Sequence, residues 1–543
     1  MSWSEIEANQ RLLSQESGAV VHDWGGRLPI ALIYANSYAV GMASLGFQTV
    51  YRFWTRRPDV ACERVFDDGR WDDAPAPRSI ESQRRLTDFA VWAFSLSFEL
   101  DYLNAVNLLR RGRIALRAAE RQDGDPILLA GGPAVSANPL PLAPLFDAFV
   151  IGEAEDVLDE LAGRLVETWD DRQQLLRRLS ELPGVYVPAL AAGGRSVRRL
   201  WLRDLDRYPT RSALWTRRAE FGAMHLVEVS RGCRRGCRFC LAGYATRPWR
   251  ERSLEVVLEA AREGLPQRKH IGLVGAAVSD YGPVDELAGR LLALGATISV
   301  SSLRADSVSP ALLDALARSR RQTLTLAPEA GSERLRAVIG KGVSEEGLMR
   351  TVEMAAARDF AQLKLYFMLG LPTESDEDVT ALVNLVERVA GRFPRQVTVN
   401  LEPFVPKAHT PFQWEPAPEP ALVRRRLKAV EHGLAGRGVI VRADSPDWAR
   451  AQAVLARGDE RLAEALLRLR RPTVSAWRAA LREAGLDEGE YAAGRPFGAT
   501  LPWSFIESGV RPALLERLAR DAGAGALPPA CAGRECTLCG VCD

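Results

Sequence analysis

Between residues 28 and 151 the chain repeats one pattern. A short, almost wholly apolar run is followed by Gly, Pro, Asn or Ser and then by an amphipathic stretch, with the runs at 28–34, 89–97, 126–130 and 148–151. Apolar runs of that length read as strands buried on both faces, and strands alternating with amphipathic helices predict a parallel sheet with crossover helices. The clearest unit is Ile127-Leu-Leu-Ala-Gly-Gly-Pro-Ala, where Gly131, Gly132 and Pro133 end a strand in a turn that lets a ligand approach the backbone closely. Ligands of such sheets sit at the carboxyl ends of the strands, so Asn36, Ser37, Ser95, Ser97, Gly131 and Gly152 are candidates to line a crevice.

The pattern loosens over 166–222, where a charged helical stretch and two short strand-like runs read as a connector. A second strand–helix series then begins at 224–230 and continues at 270–278, 297–303, 323–326, 362–369 and 396–401, with helical patterns between. Six parallel strands in such a series predict an open (β/α)6 partial barrel with its chemistry on the loops at the strands' carboxyl ends. From 418 onward the pattern is helical, with Trp448, Trp477 and Trp503 read as core residues, and 523–529 reads as a flexible Gly/Ala/Pro linker. The expected organisation is therefore α/β: a doubly wound parallel sheet in 1–165, a connector in 166–222, a partial barrel in 223–417, a helical region in 418–522 and a cysteine-rich tail in 523–543.

Composition changes this picture little. With 47% hydrophobic and 26% charged residues, a chain of 543 residues has material for two to four ordinary globular domains. A formal net charge of +2 gives no field strong enough to signal nucleic acid or an anionic membrane, and the preponderance of Arg over Lys reads as codon bias. The first residues have neither a basic nor an apolar signal region, and no run is long enough to cross a bilayer, so a cytoplasmic protein is expected. In a reducing compartment clustered cysteines read as metal ligands rather than a disulfide framework, and the isolated Cys62 reads as a small buried apolar residue.

The clusters carry the chemistry. Cys233, Cys237 and Cys240 stand at Cys-x3-Cys-x2-Cys immediately after the 224–230 run. Three thiolates on one loop leave one iron of a cubane cluster open to a ligand, whereas a structural zinc wants a fourth donor that the following residues do not supply. The chain ends in Cys531, Cys536, Cys539 and Cys542 at Cys-x4-Cys-x2-Cys-x2-Cys, a tetrathiolate set that closes its own metal. Its compact spacing favours an auxiliary 4Fe-4S cluster over structural zinc, which stays open as the alternative.

The motif at 228–243 resembles the cluster loop of the radical S-adenosylmethionine (SAM) superfamily, with Phe239 in the aromatic slot before the last cysteine. Further segments are similar to radical SAM proteins that carry an N-terminal cobalamin-type domain and to the related methylthiotransferases: Ser301-Ser-Leu-Arg-Ala-Asp, Leu326-Ala-Pro-Glu-Ala-Gly-Ser-Glu, Leu365-Tyr-Phe-Met-Leu-Gly-Leu-Pro and Phe404-Val-Pro-Lys-Ala-His-Thr-Pro. The resemblance implies a 4Fe-4S cluster on the three loop cysteines, SAM chelated to its open iron, and a radical SAM core for the barrel. It also implies that Ser302, Arg304 and Glu329 contact the SAM ribose, carboxylate or amine, the bland alternative being that Arg304 and Glu329 pair with each other. The family's Gly-Gly-Glu stretch survives only as Gly275, so Gly275 and Ser279 are the candidates there, and His409 either enters the barrel as a proton donor or caps a turn.

Residues 20–165 resemble a Rossmann-like cobalamin-binding domain without its Asp-x-His-x-x-Gly signature, and His22 precedes the first strand. That leaves two readings: a corrinoid bound without a lower histidine, or a fold kept without the cofactor. The implied function is SAM cleavage to a 5′-deoxyadenosyl radical, feeding methyl transfer to an unknown substrate, with a flavodoxin or ferredoxin as electron donor. Alternatives are a cobalamin-free enzyme such as an RNA methylthiolase, or a non-catalytic zinc protein.

Overall fold

The computed structural model describes residues 3–71, 74–191, 196–301, 303–319, 323–533 and 536–543. Six strands form the N-terminal sheet, in the order Val60–Phe66, Leu28–Tyr34, Val91–Ser95, Ile127–Gly131, Ala148–Val150 and Val185–Tyr186. The first five run parallel; the short Val185–Tyr186 strand, from the connector, joins antiparallel at the edge. In this order the first strand is flanked by the second and the third, so the chain reverses its direction of winding beside Leu28–Tyr34. That is the switch point at which doubly wound sheets open a crevice.

The Val60–Phe66 strand is a departure from the sequence reading, which placed no strand there. Glu63 and Arg64 interrupt its apolar run, yet all seven of its residues are buried. The charges are neutralised internally: Arg64 is salt-bridged to Glu16 and Glu81 at 2.6 Å each, and Glu63 accepts from Trp24 and Ser82. Cys62 is 1% exposed within this strand, as the sequence indicated.

The barrel is built from two parallel sheets. One holds Met224–Glu228, His270–Val274 and Thr297–Val300; the other holds Thr323–Glu329, Gln362–Leu369, Gln396–Pro403 and Val439–Ala443. A parallel bridge between Leu303 and Leu326, with Leu303 N–H donating to Thr325 O at 3.0 Å, joins the two. The described residues thus carry seven parallel barrel strands where the sequence suggested six. Val439–Ala443 lies in the stretch read as helical; Gly436 and Gly438, both at positive φ, separate it from the preceding helix Pro420–Gly433.

The remaining C-terminal helices do not extend the barrel. Residues of Pro446–Arg457, Leu462–Arg468 and Val474–Glu483, including the fully buried Trp477, share one apolar core with Trp92, Tyr102, Leu108 and Phe146 of the N-terminal sheet and its helices. No helix among the described residues is long and apolar enough to cross a membrane.

What positions the site is a buried charge network between the two sheets. Glu153, just beyond the end of the Ala148–Val150 strand, accepts from Arg250 at 2.7 and 2.9 Å and from Arg231 at 3.2 Å. Arg231 also binds Glu155 at 2.6 Å and Glu228 at 2.9 Å, and Glu228 pairs with Arg252. Arg231 stands two residues before Cys233, so the carboxyl end of the N-terminal sheet is clamped to the root of the cysteine loop.

Candidate active site

The cysteine loop leaves the Met224–Glu228 strand through Gly232, at φ +76°, where a Cβ would lie 2.7 Å from the carbonyls of Thr246 and Pro248. Only glycine fits that conformation and contact. Cys237 is buried and Cys233 and Cys240 are partly buried. The Cys233 sulfur accepts from Arg235 N–H at 3.4 Å, and Tyr244 O–H donates to Gly236 O at 2.8 Å, holding the loop's shape.

As free thiols the three are kept protonated. Burial raises each, and for Cys240, pushed up to about 12, the neighbouring Cys237 and Cys233 add to it. A thiol site of this kind ionises when a cation joins it. Lys341 and Arg304 favour the Cys237 thiolate electrostatically, and Glu329 opposes it. Among the described residues no three ligand-type side chains already surround one metal position. The donor set fits a thiophilic cluster all the same: three thiols close in sequence, a backbone N–H on one sulfur and a partly buried lysine whose charge favours their thiolates.

The structure brings most of the expected SAM residues to this loop, though not in the pairings expected. Arg304 does not pair with Glu329. It forms a salt bridge to Asp306 at 2.6 Å and donates to Gly342 O at 3.1 Å, while Glu329, at φ +68° on an irregular end of its strand, pairs with Lys341 at 3.0 Å. A Cβ on Gly275 would meet Ser230 Oγ at 2.8 Å, so the turn after His270–Val274 abuts the root of the cysteine loop. Ser279 bonds Ser307 Oγ at 3.1 Å. Phe239 packs beside Met368, Phe404 and Phe412. Ser302 lies outside the described residues.

Above the loop is a cavity of about 1090 Å³. Phe239, Cys240, Glu329, Tyr366, Glu402 and Asp444 line it from the barrel, and Asn36, Phe98, Asp101 and Asn104 from the N-terminal sheet. Asn36 donates to Asp101 at 2.9 Å, and burial raises the Asp101 carboxyl to about 6. Glu402 is raised too, by burial and by Asp444 and Glu329. Lys407 crosses the seam between the two halves to grip Glu99 at 2.6 and 2.7 Å.

A second cavity, about 440 Å³ and mostly apolar, opens at the carboxyl ends of the N-terminal strands. Ser95, Ser97, Gly131 and Gly152 line it, as the strand-end rule indicated; Ser37 instead caps the helix Tyr38–Gly41. Gly132 sits there at φ +114°, with its Cβ position 2.4 Å from Leu96 O. Among the described residues no histidine lines this cavity: His22 meets Thr55 O at 2.8 Å. His409 does not enter the barrel either; at φ +60° and 6% exposed, it bonds Ala137 O at 3.1 Å and fastens its loop to the N-terminal domain.

Sequence reasoning missed Lys341, Asp306, Glu402, Asp444 and the Arg231–Glu153 network. Two signals were present: Gly340-Lys341-Gly342, whose two glycines both take positive φ, and carboxylates at the carboxyl ends of barrel strands.

Comparison with known proteins adds the following. Residues 46–188 match the family described as "Radical SAM proteins, N-terminal", and residues 227–386 match "Radical SAM superfamily". An uncharacterized protein of Methanocaldococcus jannaschii is 32% identical over 448 residues, covering 82% of this chain and 92% of that one. A tRNA-2-methylthio-N(6)-dimethylallyladenosine synthase of Geobacter sulfurreducens is 25% identical over 256 residues, 44% of this chain and 56% of the synthase. Among solved structures, the cobalamin-dependent S-adenosylmethionine radical enzyme OxsB with aqua-cobalamin and S-adenosylmethionine bound is similar in fold, with a TM-score of 0.50, 17% identity and coverage of 67% of this chain and 52% of that one.

Proposed function

The chain belongs to the radical SAM superfamily and is a radical SAM enzyme, and on that premise we propose that it binds a 4Fe-4S cluster on Cys233, Cys237 and Cys240 and transfers a methyl group within the 1090 Å³ cavity. The observation that carries this reading is that Cys240 of the cysteine loop and Glu329, which is paired with Lys341, line a cavity whose far wall is the N-terminal sheet. When bound, the cluster supplies the electron that cleaves SAM to methionine and a 5′-deoxyadenosyl radical.

The protein's own residues bind, orient and exclude water. Arg304 offers a guanidinium suited to the SAM carboxylate, held by Asp306. Glu329 offers a carboxylate for the SAM ammonium, and Gly275 leaves room for backbone beside the loop. Asp101 and Glu402 line the cavity from opposite halves, and the Asp101 carboxyl, raised by burial to about 6, is suited to hold or accept a proton from substrate near neutral pH.

The 440 Å³ cavity supports a corrinoid as the methyl carrier. Its apolar walls suit a flat aromatic tail, and the Gly131–Gly132 turn leaves room for close backbone approach. When bound, a corrinoid supplies the transferable methyl group. Hydroxocobalamin offered to the purified protein should remain bound through gel filtration with a base-off spectrum. Loss of the corrinoid on the column contradicts the methyltransferase reading and moves weight to the second one, a cobalamin-free enzyme modifying RNA, which the likeness to the tRNA methylthiolating synthase favours. A flavodoxin or ferredoxin serves as electron donor, and the cytoplasm is the compartment that keeps clustered thiols reduced.

A further inference from the structure

The described residues of 523–543 do not behave as a linker with a loose end. Arg238, between Cys237 and Cys240, is fully buried, and its guanidinium donates to Leu518 O at 2.6 Å, Ala526 O at 2.6 Å, Val338 O at 2.9 Å and Ala337 O at 3.1 Å. A residue inside the cluster motif therefore ties the end of the helix Pro512–Arg520 and the tail to the loop. Pro528 sits 2.5 Å from where a Cβ on Gly236 would be, so the tail lies directly on the loop at that glycine. Cys531 N–H donates to Arg234 O at 2.6 Å, and the Cys531 sulfur accepts from Trp249 N–H at 3.5 Å.

Contact is made from the other end of the tail as well. Cys539 and Val541 share an apolar cluster with Tyr244, against which Leu241, next to Cys240, packs. Arg511 N–H donates to Cys539 O at 2.8 Å, and the Arg511 side chain pairs with Asp543. Cys531 and Cys539 are buried, Cys536 and Cys542 partly so. The Cys542 sulfur lies 3.6 Å from Gly533 O, two residues after Cys531, so the last cysteine folds back on the first.

From this placement we infer that Cys531, Cys536, Cys539 and Cys542 hold a second, coordinatively closed iron-sulfur cluster that passes electrons to the cluster loop. The inference rests on the radical SAM reading of that loop. Four thiolates close a cubane and leave no iron for SAM, which suits electron transfer rather than substrate binding. Backbone N–H groups at the Cys531 and Cys233 sulfurs are of the kind that tune cluster potentials. A zinc staple is redox-inert and gains nothing from lying against the redox loop. The step balances simply: a one-electron donor of the flavodoxin or ferredoxin class is oxidised, the tail centre takes that electron and gives it to the loop centre, and no bond or proton changes place.

The test uses the full-length protein, reconstituted anaerobically with iron and sulfide, beside Cys536→Ser, a change at a partly exposed position. Wild type should hold about eight irons and the variant about four, given four irons per cubane. With SAM present, reduction of the loop cluster followed by electron paramagnetic resonance should slow severalfold in the variant when flavodoxin is the donor, and far less when dithionite is. Wild type with about four irons and one zinc overturns the proposal, and needs no variant to fold. Equal slowing with both donors, or none with either, overturns the relay. Wild type that carries the tail iron yet cleaves no SAM with either reductant counts against the proposed function, while the iron count still decides the tail.

Discussion

Lys341 donates to Glu329 Oε1 at 3.0 Å, with the two side chains 13% and 16% exposed, and the same ammonium lies close enough to favour the thiolates of Cys237 and Cys240. One lysine thus satisfies the carboxylate proposed to receive the SAM ammonium and offsets the charge of the cysteine loop. Replacing it strands both, because a buried carboxylate left without its partner keeps its desolvation cost.

Lys341→Met should therefore lower stability by about 3 kcal/mol, the usual cost of breaking a buried pair. Urea unfolding of the metal-free protein measures that loss. In the reconstituted protein the same change should weaken SAM binding, read by equilibrium dialysis, with the loop iron retained. Unaltered stability and SAM affinity would show that Glu329 does not depend on this partner.

Glu153→Gln tests the clamp between the two sheets. Burial opposes ionisation of Glu153, but the hydrogen bonds and charge of Arg250, with Arg231, outweigh it and hold the carboxyl down to about 2. A depressed carboxyl contributes stability that is present above its ordinary pKa and is lost as pH falls through the folded value, here between about 4.5 and 2. The variant should be less stable at pH 7 by about 3 kcal/mol and should lack the wild-type decline over that acid window.

Asp101 has the opposite sign. Burial raises its carboxyl to about 6 against the hydrogen bond from Asn36, and Glu99 adds to the rise. A raised carboxyl gives stability that is present below the unfolded pKa of about 3.8 and lost as pH climbs through about 6. Asp101→Asn should abolish that loss, making the variant more stable than wild type at pH 7 by about 2–3 kcal/mol. Thermal unfolding from pH 4 to 8 shows whether the two curves diverge in that window.

Gly132→Ala addresses the apolar cavity. At φ +114° and with a Cβ 2.4 Å from Leu96 O, alanine forces the turn open at a strain cost of about 1–3 kcal/mol. The variant should lose retained corrinoid while SAM cleavage persists. Full corrinoid retention would place that ligand elsewhere.

Much of this was legible in the sequence wherever burial and chemistry coincide in one run. The strands around Ile30, Leu128 and Leu273 are apolar enough to show themselves, and the cysteine spacing at 233–240 announces its loop. Legibility failed where polar residues are buried in pairs. Glu63 and Arg64 hid an edge strand because their partners, Trp24 and Ser82 for Glu63 and Glu16 and Glu81 for Arg64, lie outside the run. Val439–Ala443 was hidden by its edge position and by Arg442. Lys341 was invisible because nothing local links it to Glu329, twelve residues away. The tail read as a linker from its Gly, Ala and Pro content, since the contacts that fix it come from Arg238, 288 residues from Ala526.

The most direct measurement is 5′-deoxyadenosine formed from SAM by the anaerobically reconstituted protein under dithionite, compared with Cys237→Ala. The account predicts turnover by the wild type and none by the variant, whose N-terminal sheet stays folded because the loop lies at the barrel rim. Undiminished 5′-deoxyadenosine from Cys237→Ala would contradict it.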